Sequence, residues 1–427
     1  MEKSEILTSI RQLLDSYSDR FLIEPFDPEH PIVRLHEPTF GSEEIWEALD
    51  SLLTTQVTMG AKVRRFEKEF SERYGFGSSM MVNSGSSANL LAFAALSNPA
   101  MPGRLQPGDE IIVPALSWST TVWPIIQHGL VPVIVDIDPA TLNLDPAEVE
   151  WAVTEKTRGI MLVHVYGNPC NMAAIMDTVN RHSLELVEDC CEALDSYYDD
   201  KPVGSFGRIG TFSFYFSHHI TTLEGGMCVT SDDACADMIR VLRAHGWVRE
   251  SGNREEYASN NPSIDPRCLF VNTGYNLRAT ELQGGFGFVQ LDKLEKFVDV
   301  RRDNARYWKE ELAPLGEFFE FQEETPGGTH SWFGFPMAIK PNAPFSVNEL
   351  TGYLNSQGIE TRPIIAGNIA AQPAMKLYQH RVVGGLANSN HIMQNGFTFG
   401  NHQAINHQAR KYVADAVKEF VADRGLV

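Results

Sequence analysis

Three short runs carry side chains whose type and spacing suit chemistry. Asn83-Ser84-Gly85-Ser86-Ser87-Ala88-Asn89 places small hydroxyl residues between an apolar strand and an apolar helix. Free backbone N–H groups and the helix dipole favour an anion such as a phosphate there, although the same run also reads as an ordinary serine N-cap. Leu186-Val187-Glu188-Asp189 ends a buried-type strand in two carboxylates, at the end where parallel sheets place ligand-binding groups. Asp189 suits pairing with a protonated ring nitrogen that must stay electron-poor; a helix cap or solvated turn is the plainer use. Trp118, just beyond another strand, suits stacking on a flat ring or simple packing. The third run, Thr211 to Gly226, holds two adjacent imidazoles, His218 and His219.

These residues need a framework, and the chain's periodicity supplies one. Ile6, Ile10, Leu13, Leu14 and Tyr17 recur at helical spacing, so the N-terminus reads as an amphipathic helix, followed by a segment broken by Pro25, Pro28 and Pro31. From about residue 43 helices alternate with short apolar strands, which predicts an α/β domain with a mostly parallel sheet covered on both faces. Residues 247–267 read as a polar, proline-containing loop of a length that is usually functional or mobile. A long charged helix from roughly residue 290, a strand over Ser331–Lys340 and two further helices predict a smaller α+β domain. The division is 1–40, 41–290 and 291–427.

Composition excludes several classes. The 427 residues carry 35 Lys+Arg against 55 Asp+Glu, a net charge of −20, so the chain lacks the basic surface that nucleic acid demands. With 43% apolar residues it has ample material for a core. Six cysteines without a C-x-x-C do not form a disulfide or zinc framework, and no metal ligand set stands out. The first residues lack a basic then apolar leader, and no apolar stretch approaches membrane-spanning length, so a cytoplasmic protein is expected.

Taken in order, N-S-G-S-S-A-N, the E-D strand end, G-T-F-S-F-Y, the E-G-G turn and Gly274-Tyr-Asn-Leu-Arg278 resemble the DegT/DnrJ/EryC1/StrS sugar aminotransferases of the fold-type I, pyridoxal-phosphate-dependent superfamily. The resemblance spans about residues 40–427. It implies an aspartate-aminotransferase-like large domain and a cofactor, pyridoxal or pyridoxamine 5'-phosphate. One departure outweighs the matches. The family's Schiff-base lysine lies six residues before the glutamate of E-G-G, and here that position is His218; no lysine occurs between Lys201 and Lys293. Without a primary amine the protein cannot tether an aldehyde cofactor.

Histidine at this place resembles the subgroup of nucleotide-4-keto-6-deoxyhexose 3-dehydratases. That likeness implies loss of the hydroxyl at sugar carbon 3, release of ammonia, and renewal of the amine form by L-glutamate. The product would be a 4-keto-3,6-dideoxy sugar of the kind found in lipopolysaccharide O-antigens. GDP is the nucleotide expected, from runs such as Ser217-His-His219 and Gly400-Asn-His-Gln403; CDP is the alternative, because the N-terminal extension resembles that branch. An imidazole, with an ordinary pKa near 6.5, suits a base that takes a proton and then helps hydroxide leave.

By the same resemblance Gly85, Ser86, Ser87 and Ser213 bind the cofactor phosphate, Trp118 stacks on its ring, and Glu192 orients the cofactor or a water. Asn276 reaches the phosphate of a neighbouring subunit's cofactor, which implies a homodimer with shared active sites. His245, Arg249 and Arg278 contact sugar or glutamate carboxylate, or are plain surface charges. An iron–sulfur cluster is not expected: residues 236–267, where the cluster-bearing branch groups three thiolates, contain no cysteine. Two rivals stand beside the dehydratase: an aminotransferase borrowing a lysine from elsewhere, and a non-catalytic sensor or scaffold.

Overall fold

A computed structural model describes residues 2–21 and 26–426; Pro25 of the proline-broken segment lies outside them. Helices α1 (Lys3–Phe21), α2 (Ser42–Leu53) and α3 (Ala61–Tyr74) precede the first strand, β1 (Ser78–Val82). Then α4 (Gly85–Leu96), β2 (Glu110–Pro114), α5 (Ser119–Gln127), β3 (Val131–Val135), β4 (Thr157–Val163) and β5 (Glu185–Asp189) follow in turn.

These strands join Ile209–Ser213, Gly226–Thr230 and Arg381–Val382 in an eight-stranded sheet. Its order from one edge is β1, Gly226–Thr230, Ile209–Ser213, β5, β4, β2, β3, Arg381–Val382. Only Gly226–Thr230 pairs antiparallel with its neighbours; the other pairings are parallel. Every residue of β2 and β3 is buried, as a sheet with helices on both faces requires. Apolar nearly all round, α4 is correspondingly buried along most of its length.

A second, four-stranded antiparallel sheet orders Phe319–Phe321, Gly334–Ile339, Gly396–Gly400 and Thr361–Arg362. Phe335, Phe397, Phe399 and Trp308 fill its core together with the C-terminal helix His407–Ala422. Arg381–Val382, from the stretch that also supplies the second sheet, extends the large sheet beside β3, and Val33 of the N-terminal stretch bridges to Ile359.

Helix α3 begins without a side-chain cap of its own, because its N-cap is Gly60. Glu281, from the start of the long helix Glu281–Leu312, substitutes from far along the chain. Its carboxylate accepts the N–H groups of Gly60 (2.7 Å), Lys62 (2.9 Å) and Val63 (3.0 Å) while itself buried. Charge-assisted bonds to a helix N-terminus are strong, and removing the acceptor leaves buried donors unmet. Glu281→Ala is expected to cost roughly 3 kcal/mol, read as a lowered urea midpoint at unchanged slope; a midpoint equal to the parent's would contradict this.

Three expectations about elements need correcting. The strand foreseen over Ser331–Lys340 starts only at Gly334, because Trp332 adopts a left-handed backbone (φ 49°) and Phe333 donates its N–H to Tyr166 O at 2.7 Å. Residues 247–267 hold a short helix, Arg254–Asn260, with no buried side chain to announce it. The long helix starts at Glu281, not near 290: Thr280 and Gln283 form a capping box, and glycines at 284, 285 and 287 fit against α3 and α2. The N-terminal helix is present, yet Ile6, Leu13 and Tyr17 are exposed, so its apolar stripe is not core.

Candidate active site

At the carboxyl ends of the parallel strands lies a cleft of about 350 Å³. The start of α4 forms one wall, Trp118 and the start of α5 another, and Asp189 the floor; the loop after Ser213 and Phe333, Arg362 and Ile365 close it. Ser84 caps α4, its Oγ accepting the N–H of Ser87 at 3.1 Å. The N–H groups of Gly85 and Ser86, which can find no partner within a helix, remain at the cleft wall. Ser86 Oγ donates to Thr120 Oγ1 at 3.1 Å, and Ser213 also lines the wall. Gly85 is required by packing: a Cβ there would fall 2.5 Å from Ser213 Cβ and 3.0 Å from Cys191 Sγ. This wall is built for an anion.

The two carboxylates ending β5 part company because successive strand residues face opposite sides. Asp189 turns into the cleft, its Oδ2 accepting Asn89 Nδ2 (2.9 Å) and Thr121 Oγ1 (2.8 Å), its Oδ1 the N–H of Cys191 (3.1 Å). Glu188 turns away and is wholly structural. It accepts the N–H groups of Gly204, Phe206 and Gly207 at 2.8, 2.7 and 2.6 Å, and pairs with His164 Nε2 at 3.2 Å. His164, Glu188 and Cys190 lie close enough to suggest a metal triad. However, His164 Nδ1 accepts the N–H of Cys170 at 3.0 Å, so the other ring nitrogen carries the proton and donates to Glu188. Neither nitrogen is free for an ion.

His218 lines the cleft on the loop between Ile209–Ser213 and Gly226–Thr230. Its ring stacks on Phe333 at 5.0 Å and meets Tyr215 edge-on at 6.3 Å; its Nδ1 is buried without a partner. Burial, with Arg301 and Arg362 adding repulsion, pushes the imidazole down to about 3, so it is a neutral base at physiological pH. His219 is the more deeply buried of the pair, with Nε2 3.2 Å from Ser331 O, and does not line the cleft.

Glu192 also faces the cleft, accepting the N–H of Tyr166 at 3.0 Å. Burial pushes its carboxyl up to about 7, Asp189 reinforcing and Arg362 opposing the shift. A carboxyl raised on folding stabilises the fold below its unfolded pKa, and that contribution fades as pH climbs through the folded value. In the cofactor-free protein, Glu192→Gln should therefore gain stability over the parent by up to roughly 3 kcal/mol on going from about pH 5 to about pH 8. Parallel urea titrations of parent and variant check this; a gap independent of pH would refute it.

Gly85, Ser86, Trp118, Asp189, Glu192, Ser213 and His218 thus gather around one cleft, though they come from four separate stretches of sequence. Ser87 does not join them: it is taken up by the cap. Nor do Asn276, His245, Arg249 and Arg278 line the cleft of this chain. Asn276 accepts Arg278 Nε at 3.0 Å, Arg278 meets His245 Nε2 at 3.3 Å, and Arg249 lies over Trp247. Asn276, His245 and Arg249 are exposed.

Residues the sequence reading left out include Asn89 and Thr121, the holders of Asp189, together with Phe333 and Arg362. Asn89 lies three residues beyond Ser86, one turn along the same helix, a spacing that pointed to it. Arg362 arrives from the second sheet, far along the chain, and nothing local marked it. It has no ion-pair partner among the described residues.

The site fits the expected cofactor. An anion wall, an exposed indole face, a carboxylate accepting three hydrogen bonds and an imidazole on the cleft wall match a phosphate, an aromatic ring, its protonated nitrogen and its reactive substituent. A model of the DegT/DnrJ/EryC1/StrS aminotransferase family matches residues 38–418. The chain is 41% identical over 376 residues to GDP-4-keto-6-deoxy-D-mannose 3-dehydratase of Yersinia pseudotuberculosis, covering 86% of this chain and 94% of that one. Among solved structures it is similar to the E. coli GDP-4-keto-6-deoxy-D-mannose-3-dehydratase with bound hydrated PLP (TM-score 0.86, 37% identity, 92% of this chain and all of the other). It is also similar to a GDP-4-keto-6-deoxymannose-3-dehydratase with a trapped PLP-glutamate geminal diamine (TM-score 0.82, 36% identity, 90% of this chain and all of the other).

Proposed function

Since the chain belongs to the DegT/DnrJ/EryC1/StrS aminotransferase family, we propose that it removes the 3-hydroxyl of a nucleotide-linked 4-keto-6-deoxyhexose, with GDP-4-keto-6-deoxymannose as substrate. The observation that carries this reading is His218: it occupies the cleft beside Asp189, and among the described residues no lysine lines that cleft. An ordinary aminotransferase needs such a lysine.

Pyridoxamine 5'-phosphate, when bound, supplies a primary amine for the sugar ketone and an electron-accepting ring. Gly85, Ser86 and Ser213 would hold its phosphate, Trp118 its face and Asp189 its ring nitrogen. Asn89 and Thr121 hold Asp189 in place, which leaves its charge directed into the cleft. His218, neutral and lining the cleft, is the group that takes a proton here; as imidazolium it returns that proton to the departing hydroxyl. Confinement against Phe333 and Tyr215 limits rotation of the ring between the two steps. Arg362, a guanidinium on the wall with no ion-pair partner among the described residues, suits the carboxylate of glutamate, the expected amine donor.

The cluster of Asn276, His245 and Arg278 supports a homodimer in which Asn276 serves the partner's cleft: the three lie outside their own, near the exposed Phe270 and Tyr275. Mixing Asn276→Asp with His218→Asn subunits should then restore part of the activity that each lacks alone. Separately purified variants that regain nothing on mixing would count against the shared site. The division into 1–40, 41–290 and 291–427 belongs to the same proposal. So too does residence in the cytoplasm; among the described residues no helix is long and apolar enough to cross a membrane.

The test of the whole reading is product analysis. Incubated with pyridoxamine phosphate, L-glutamate and the GDP-linked sugar, the protein should release ammonia and give a 4-keto-3,6-dideoxy product by mass spectrometry. A 4-amino sugar, or turnover of the CDP-linked sugar alone, would overturn the reaction or the nucleotide respectively.

A further inference from the structure

Arg301, midway along the helix Glu281–Leu312, is one of the largest fully buried side chains. Buried guanidinium groups ordinarily face a carboxylate, since an unpaired charge away from water is costly. Arg301 faces none among the described residues. Its Nη1 donates to two carbonyl oxygens, Phe333 O at 2.9 Å and Asn401 O, and its Nε has no partner. Asn401 answers from the Gly400-Asn-His-Gln403 run, donating through Nδ2 to Arg301 O (3.1 Å) and Trp332 O (3.0 Å). Arg301 and Asn401 together therefore clamp the Ser331–Phe333 turn, in which Trp332 is held with a positive φ.

That turn carries the ring against which the base is stacked. Phe333 lies 5.0 Å from His218 at 24° and 5.6 Å from His219 at 45°, while the Arg301 guanidinium carbon sits 5.9 Å from the same ring. A cation retained at such cost, bonded to the backbone of the residue that braces an imidazole, has two effects on that imidazole. It fixes the orientation, and it disfavours a second positive charge nearby. The other charged groups facing His218 are Arg362, which acts in the same sense, and the acids Asp189, Glu192 and Glu224 on the cleft wall; His219, behind the ring, is neutral.

We propose that Arg301 is a positioning residue: through Phe333 it sets the plane of the His218 ring, and its uncompensated charge opposes a second positive charge there. This deepens the dehydratase reading and rests on it for the catalytic consequence. Burial and Arg301 are the two largest influences holding the imidazole low, ahead of Arg362.

The test measures His218 directly in the cofactor-free full chain. Acylation by diethylpyrocarbonate, followed by peptide mass spectrometry, counts only neutral imidazole. In the parent its rate, corrected with free imidazole, should stay level from about pH 8 to about pH 5. In Arg301→Met it should fall by up to about twofold towards pH 5, because the repulsion is lost while burial still holds the ring below its ordinary value. Arg301→Lys keeps the charge and should keep the level profile, but it loses the double carbonyl contact; with the GDP-linked sugar, kcat should drop at least about fivefold at nearly constant KM. Phe333→Leu, which spares the buried charge, should show that same kcat loss with a level profile. A level profile in Arg301→Met overturns the electrostatic half, and unchanged kcat in both Arg301→Lys and Phe333→Leu overturns the positioning half. If Arg301→Met fails to fold, the two milder variants still decide the positioning half, and a profile that falls in Arg301→Lys overturns the electrostatic half. Failure of the dehydratase reading would look different: the parent would give no deoxygenated product, while the acylation profile would still report on Arg301.

Discussion

His218→Lys is expected to abolish dehydration and to turn the protein towards amino transfer. The substitution puts a primary amine on the loop whose present occupant, by geometry, is a base with a free ring nitrogen. A lysine there can bond covalently to an aldehyde cofactor and deliver a proton to sugar carbon 4, whereas imidazole has no primary amine with which to form that bond. Loss of 3-deoxy product should reach about a thousandfold, the upper range for removing a positioned general acid–base. A 4-amino sugar should appear in its place, read by mass spectrometry. The neighbouring His219 offers no rescue, because it is buried against Ser331 and outside the cleft. Dehydration that continued at the parental rate in this variant would remove His218 from the mechanism.

The second large effect is expected at Asp189. Asp189→Ala deletes the acceptor that Asn89 Nδ2, Thr121 Oγ1 and the Cys191 N–H share at the cleft floor, leaving Asn89 with Thr120 O, and it removes the negative charge meant for a protonated ring nitrogen. Two consequences should separate. Each buried donor left unmet costs about 1–3 kcal/mol, so the urea midpoint falls even without cofactor. Activity should fall at least about a hundredfold at saturating cofactor, because an electron sink without its counter-charge draws electrons poorly. Asp189→Asn keeps the shape but sets an amide against donors, and should lose activity to a similar extent with a smaller loss of stability. Activity within twofold of the parent in both variants would show that this carboxylate does not serve the chemistry.

The large sheet was legible because its strands are short apolar runs buried on both faces, and α4 and α5 because small hydroxyl residues mark their starts. The cleft was legible wherever its residues sit at strand ends or helix starts, as Asp189, Ser86 and Trp118 do. Three kinds of feature were not. Glu188 and Asp189 look equivalent in sequence, and only the pleat assigns one to structure and the other to the cleft. The turn at Ser331–Phe333 reads as strand because it is apolar; its departure is dictated by contacts with Tyr166 and Arg301, distant in sequence. Arg362 and Arg301 look like ordinary cations, and that neither meets an acid among the described residues is a property of the folded chain alone. The cap that Glu281 gives to α3 was equally hidden, since more than two hundred residues separate donor and acceptor.

The account turns on a histidine where relatives with amino-transfer chemistry anchor their cofactor, and one measurement addresses that directly. The purified protein is loaded with pyridoxal phosphate, treated with borohydride, and weighed intact after denaturing desalting. The account predicts the mass of the bare polypeptide, the cofactor having been held by contacts alone and washed away. A mass increased by one reduced cofactor, mapped to a lysine by peptide sequencing, would contradict it.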